Sequence, residues 1–133
     1  MQPLSDEERL AFTHIVMNIL NHWQVSSTDQ IKILDLPKEI KPRTLKRYRE
    51  TTPFPNISAV MERAEHLLGI AEALRTSFPH NMSMGAIWMN TPHRRFDNRT
   101  PLTTIIEDGY HGLVAVRSHV DCAFSWYLTE PKP

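Results

Sequence analysis

Residues 88–116, WMNTPHRRFDNRTPLTTIIEDGYHGLVAV, leave the chain few ways to fold. Ala86, Ile87, Trp88 and Met89 end a short helix. Thr91-Pro92 stops it, because the residue before a proline is pushed out of the α region. Residues 93–99 follow as a polar loop with one large apolar anchor, Phe96. Asp97-Asn98 supplies its turn, since both residue types tolerate left-handed backbone and bond locally. Thr100-Pro101 has the form of an N-cap followed by proline at the first helical position. Leu102, Ile105 and Ile106 give the next short helix an apolar face, and Gly109 stands where a C-cap glycine belongs. Gly112-Leu113 then opens another helix. This pattern predicts three helices joined by two tightly specified corners, with Trp88 and Phe96 mostly buried as anchors.

Upstream, Ser5 and Glu8 form a capping box. The helix they open carries an apolar stripe of helical period: Phe12, Ile15, Val16, Ile19, Leu20 and Trp23. Ser27-Thr28-Asp29-Gln30 is a second capping box, starting a short helix with Ile31, Ile33 and Leu34 that Pro37 ends. After a turn, a third helix runs from Pro42 or Arg43 through Glu50, with Leu45 and Tyr48 as its narrow inward edge. Residues 51–55 form an extended linker. The longest helix covers about residues 57–77, a rod ~30 Å long, with Val60, Met61, Ala64, Leu67, Leu68, Ala71 and Leu74 in one stripe. Gly69 within it leaves room for close approach of another helix. The last helix covers about residues 112–128, with Leu113, Val116, Val120, Ala123 and Tyr127 spaced three and four apart. The expected organisation is residues 1–56, a connecting helix at 57–79, and residues 80–133.

Composition narrows the functional classes. The 133 residues carry no formal net charge, so no global field announces a nucleic-acid or membrane partner. Charge is distributed unevenly, however. Residues 38–50 hold six basic side chains against two acidic ones. The helices at 27–35 and 42–50, separated by a short turn, make a helix-turn-helix candidate. In such a motif Arg43, Lys46, Arg47 and Arg49 would meet phosphates and base edges, although a solvated charged face would use the same residues.

One cysteine, Cys122, excludes an intramolecular disulfide framework and suits a reducing cytoplasm. The acidic, polar start is unlike a signal peptide. No apolar run approaches the roughly 18 residues of a membrane span. His119 and Cys122, one helical turn apart, with His111 two turns back, raise a metal site, but a closed zinc site needs a second ligand pair at defined spacing. None exists in the sequence. With no Gly-rich phosphate loop, nucleophile elbow or plausible carboxylate pair, neither an enzyme nor a cofactor is expected.

Trp88, Pro92, Phe96, Thr100, Pro101, Leu102, Gly109, Gly112, Leu113 and Val116 together resemble the toxin-binding domain of the Xre/MbcA/ParS antitoxin family. At the turn that family favours glycine where this chain has Asp97-Asn98. Gln30, Leu34, Thr44, Leu45, Tyr48 and Arg49 resemble the Xre-like helix-turn-helix that precedes that domain. Arg63, Leu67, Leu68, Gly69, Ile70 and Leu74 resemble the helix after it.

The resemblance implies an all-α fold: an N-terminal helix-turn-helix bundle joined by a long helix to a small toxin-binding domain. It further implies an antitoxin that binds and neutralises a RES-domain, NAD-degrading toxin. Operator DNA would be a second partner, and a homodimer or higher hetero-oligomer the working form. NAD would be the partner's substrate. The toxin contact falls on the end of the last helix and its tail: Phe124, Trp126, Tyr127, Leu128 and Lys132. Trp126 lies roughly 100° around the helix from Tyr127, so one core cannot easily bury both. The runner-up is a stand-alone helix-turn-helix transcriptional regulator whose C-terminal half dimerises it.

Overall fold

The structure, a computed structural model, describes residues 4–129, with side chains through Cys122. The described residues form an all-α protein: α1 (Asp6–His22), α2 (Ser27–Leu34), α3 (Leu45–Glu50), α4 (Ser58–Ser77), α5 (Ser83–Met89), α6 (Pro101–Asp108) and α7 (Tyr110–Thr129). Short 3-10 turns occupy Pro42–Thr44 and Arg94–Phe96. No described helix is long and apolar enough to cross a membrane. The chain divides into two compact units, Met1–Glu65 and His66–Pro133. The division falls inside α4, so that helix contributes to both cores.

In the first unit, Ser5 caps α1 as expected. Its hydroxyl accepts from the Glu8 N–H, and the Glu8 carboxylate accepts from the Ser5 N–H. That carboxyl is held below its ordinary range by the Ser5 backbone and side-chain hydrogen bonds. The buried stripe differs from the expected one. Thr13, Val16, Met17, Leu20 and Trp23 face the core, whereas Ile15 is 48% exposed and Phe12 half-buried.

The reason for the rotation lies far along the chain. Thr13 Oγ1 donates to the Arg9 carbonyl (2.7 Å) and accepts from the Phe54 N–H (2.8 Å), while Arg9 Nε donates to the Phe54 carbonyl (3.0 Å). Both backbone polar groups of a fully buried Phe54 are thus satisfied by α1, which removes the cost of burying them unpaired. Tyr48 closes over the Phe54 ring at 5.5 Å.

The cap of α2 is Ser26, one residue earlier than expected. Its hydroxyl accepts from the Asp29 N–H. Gln30 is consequently turned inward, where its amide donates to Asn21 Oδ1 and the Val25 carbonyl. The helix ends at Leu34, before the influence of Pro37, because Asp35 takes the left-handed conformation (φ 53°). The third helix is also shorter than expected. Pro42–Thr44 forms a 3-10 turn with no side-chain cap, and regular α-helix begins only at Leu45.

In the second unit, α6 and α7 pack closely. A Cβ on Gly112 would run into the Thr104 carbonyl oxygen, so only glycine lets these two backbones meet. From α4, Leu67, Ile70, Ala73 and Leu74 are buried, while Leu68 and Ala71 are half-covered. Gly69 leaves room for the Arg117 guanidinium from α7, a side chain where a helix backbone was expected. Arg117 Nη1 donates to His66 Nδ1 (3.2 Å) and Nε pairs with Asp121 (3.5 Å).

Candidate functional site

Two surfaces carry the side chains singled out above, one in each unit. In the first, Arg43, Lys46, Arg47 and Arg49 are all exposed, with Leu45 and Tyr48 buried beneath them. The six residues of α3 span ~9 Å, which concentrates the cations on one short segment. Lys46 meets Glu50 at 4.0 Å with both side chains in solvent, a pair worth little. Arg47 and Arg49 stand in the last turn, where positive charge complements the helix dipole. The Glu50 carbonyl at that end also meets His14 Nε2 of α1 (3.2 Å), which ties the segment to the unit's core.

The second surface is built on the loop between α5 and α6. Asn90 caps the end of α5, with its amide donating to the Ala86 carbonyl, and Thr91 Oγ1 donates to the Ile87 carbonyl (2.6 Å), so the helix is finished before exposed Pro92. His93 and Arg99 pair as an isolated antiparallel bridge. Between them the backbone turns through Asp97 (φ 58°) and Asn98 (φ 64°), both left-handed as expected of these residue types. The His93 carbonyl accepts from the Phe96 and Asn98 amides at 3.0 Å each. Thr100 then caps α6, accepting from the Thr103 N–H (2.9 Å), with Pro101 at the first helical position. Gly109 ends α6 at φ 63°, ψ −138°, a conformation open essentially to glycine alone. The Leu113 N–H donates to its carbonyl as α7 starts.

Phe96 is fully packed away and Trp88 is mostly covered. The rings that meet Trp88 are two imidazoles and Phe96. Trp88 stacks on His119 of α7 (centroids 5.9 Å, planes 6° apart), lies 5.0 Å from His93, and meets the Phe96 edge at 6.4 Å. His119 also packs edge-on to Phe96 at 5.7 Å. His93 Nε2 lies 3.2 Å from the Trp88 carbonyl, which can only accept, so His93 carries a proton on Nε2. Burial pushes the His119 pKa down, with further lowering from the nearby Arg95 and His93. His119 therefore serves this stack, a role hidden in sequence because its partners Phe96 and Trp88 lie 23 and 31 positions away. Cys122 is exposed, and the described residues bring no three potential metal ligands together.

Arg99 was also missed. It forks onto Asp108 (Nη1 3.0 Å, Nη2 2.9 Å), reaches Glu107 (3.2 Å) and donates through Nε to the Phe96 carbonyl (3.1 Å). The loop is thus latched to the C-terminal end of α6, and the Arg99 hydrogen bonds hold the Asp108 carboxyl below its ordinary range. Phe124, Trp126, Tyr127, Leu128 and Lys132 lie outside the residues whose side chains are described.

No known protein-family profile matches the chain. It is similar to uncharacterized protein y4oB of Sinorhizobium fredii (strain NBRC 101917 / NGR234), at 29% identity over 120 residues that cover 90% of this chain and 89% of the relative.

Proposed function

We propose that this chain is the cytoplasmic antitoxin of a bacterial type II toxin–antitoxin pair and that it binds and neutralises a RES-domain, NAD-degrading toxin. The observation that supports this most is the construction of the 88–116 stretch. Phe96 is its buried anchor, Thr100-Pro101 caps a helix, Gly109 turns the chain at positive φ, and Gly112 admits a neighbouring backbone. Phe96, Thr100, Pro101, Gly109 and Gly112, half of the residues that carry the resemblance, therefore have steric or hydrogen-bonding reasons to be where they are.

Inhibition is assigned to Phe124, Trp126, Tyr127, Leu128 and Lys132, docked at the toxin's NAD-entry cleft. Arg43, Lys46, Arg47 and Arg49 would hold operator DNA, with the antitoxin working as a homodimer or a higher hetero-oligomer with its toxin. Co-expression with the product of the neighbouring gene tests the reading. A stable complex and preserved cellular NAD are expected, and removing residues 124–133 should leave a folded protein that no longer protects. A lone DNA-binding dimer that ignores the neighbouring protein would identify a transcriptional regulator instead.

A further inference from the structure

Asp108-Gly109 is the only place in the sequence where a glycine follows an aspartate or an asparagine. Such a pair is chemically labile, because a glycine has no Cβ to hinder its amide nitrogen as that nitrogen approaches the preceding side chain. The reaction begins when the Gly109 nitrogen attacks Asp108 Cγ. A Cγ–N bond forms, and the amide proton and the carboxyl hydroxyl leave as water, closing a five-membered succinimide. Water then reopens the ring at either carbonyl. Cleavage at Cγ restores aspartate. Cleavage at the backbone carbonyl gives isoaspartate, with the main chain now running through the former side chain.

In the folded chain each group that this reaction needs is engaged. The Gly109 N–H donates to the Ile105 carbonyl (3.1 Å), which commits the nitrogen to the last turn of α6. Both Asp108 carboxylate oxygens accept from Arg99 (Nη1 3.0 Å, Nη2 2.9 Å). These bonds also hold the carboxyl below its ordinary range, and an ionised carboxylate is a poorer target for the nitrogen than a protonated one. The Asp108 side chain is nevertheless 43% exposed, so water reaches it. A surface fork and one helix-end hydrogen bond open more readily than a core contact.

We infer that Asp108-Gly109 is a site of spontaneous backbone isomerisation, which the Arg99 fork holds in check in the folded chain. The inference does not depend on the proposed antitoxin role. Its consequence falls on the α6–α7 corner. Isoaspartate adds a methylene to the main chain there and takes away the carboxylate that Arg99 grips. Just beyond, the Leu113 N–H donates to the Gly109 carbonyl, and Gly112 is seated against the Thr104 carbonyl. An extra main-chain atom disturbs both contacts, so one modification loosens the join between two helices.

The test incubates full-length wild type, Arg99→Lys and Arg99→Gln at neutral pH, at a temperature where circular dichroism shows each folded, alongside wild type in urea. Isoaspartate at position 108 is followed by peptide mass spectrometry and by enzymatic methylation of the isoaspartyl carboxyl. Wild type in urea should react fastest and folded wild type slowest. Folded Arg99→Gln should exceed folded wild type roughly threefold, the scale on which a part-exposed ion pair shifts a local equilibrium. Arg99→Lys keeps the charge without the fork and should be nearly as fast as Arg99→Gln. The isoaspartyl protein, separated by chromatography, should melt below the unmodified chain. Folded variants that react no faster than wild type would overturn the guarding role of the fork, and Arg99→Lys alone decides this if the glutamine variant does not fold. No isoaspartate at position 108 in urea would overturn the site itself.

Discussion

Gly69 and Gly112 offer one chemical change with two opposed outcomes. Both lie inside helices, so replacing either by alanine should gain about 1 kcal/mol of helix propensity. At Gly112 the added methyl meets the Thr104 carbonyl, part of the α6 backbone, which cannot step aside without moving the helix. Overpacking of this kind costs ~1–3 kcal/mol, and a rigid backbone obstacle puts it at the upper end. A net loss of about 2 kcal/mol follows, or roughly 8 °C or more in Tm for a small domain. At Gly69 the methyl meets only the end of the Arg117 side chain. The guanidinium can swing into solvent, giving up its His66 hydrogen bond at about 0.5–1.5 kcal/mol. Gain and loss nearly cancel there. Thermal melts of the two variants by circular dichroism should therefore separate clearly, with Gly69→Ala close to wild type. Equal shifts, or a stabilised Gly112→Ala protein, would refute the claim that the α6–α7 approach depends on that glycine.

Three further outcomes follow from the same geometry. His119 titrates below its ordinary value of 6.5 in the folded chain, so the unfolded chain binds its proton first. Stability from the neutral ring is complete above pH 6.5 and falls as pH drops toward the folded value. His119→Gln should flatten Tm against pH in that window. Phe96→Ala removes the buried ring against which His93, Trp88 and His119 pack and should cost ~3–5 kcal/mol by denaturant melt; a wild-type midpoint would place Phe96 outside the core. On the proposed operator role, Arg43→Ala/Arg47→Ala should weaken promoter binding in a mobility-shift assay and lower the logarithmic salt slope by roughly 0.9 per lost phosphate contact, with helical content intact.

Local chemistry made several of these features legible in the sequence. Asp97 and Asn98 take left-handed backbone because their short polar side chains tolerate it, and Ser5, Thr100 and Gly109 end helices for reasons contained within four residues. Features decided by distant partners were not legible. Nothing near Thr13 announces that its hydroxyl satisfies Phe54, 41 residues on, and this contact turns α1 so that Ile15 faces solvent. Ser26 and Ser27 are equally good caps locally, and the choice between them falls to Gln30, whose amide finds Asn21 and Val25 only in one register. Trp88 was expected as a mostly buried anchor, but that His93 and His119 would be the rings against it depends on the distant approach of α7 and on the loop's fold.

The Arg99 latch joins the loop to the end of α6 and to the aromatic anchor at once. Its fork reaches Asp108 and Glu107 at the end of α6, and its Nε reaches the carbonyl of Phe96, the same residue that anchors the aromatic stack. Removing the fork leaves two acidic groups without their cation on one side of the loop. The 3-10 turn at residues 94–96 also loses a fixed point, since Nε no longer reaches the Phe96 carbonyl. An Arg99→Gln protein should therefore melt earlier and exchange the Phe96 and Asn98 amides faster, because the loop keeps only its backbone hydrogen bonds. Lysine at position 99 restores charge but not the two-pronged geometry, so it should recover little of that loss. If Arg99→Lys protects those amides as well as wild type, charge alone holds the loop, and the case for a two-pronged latch fails on that measurement.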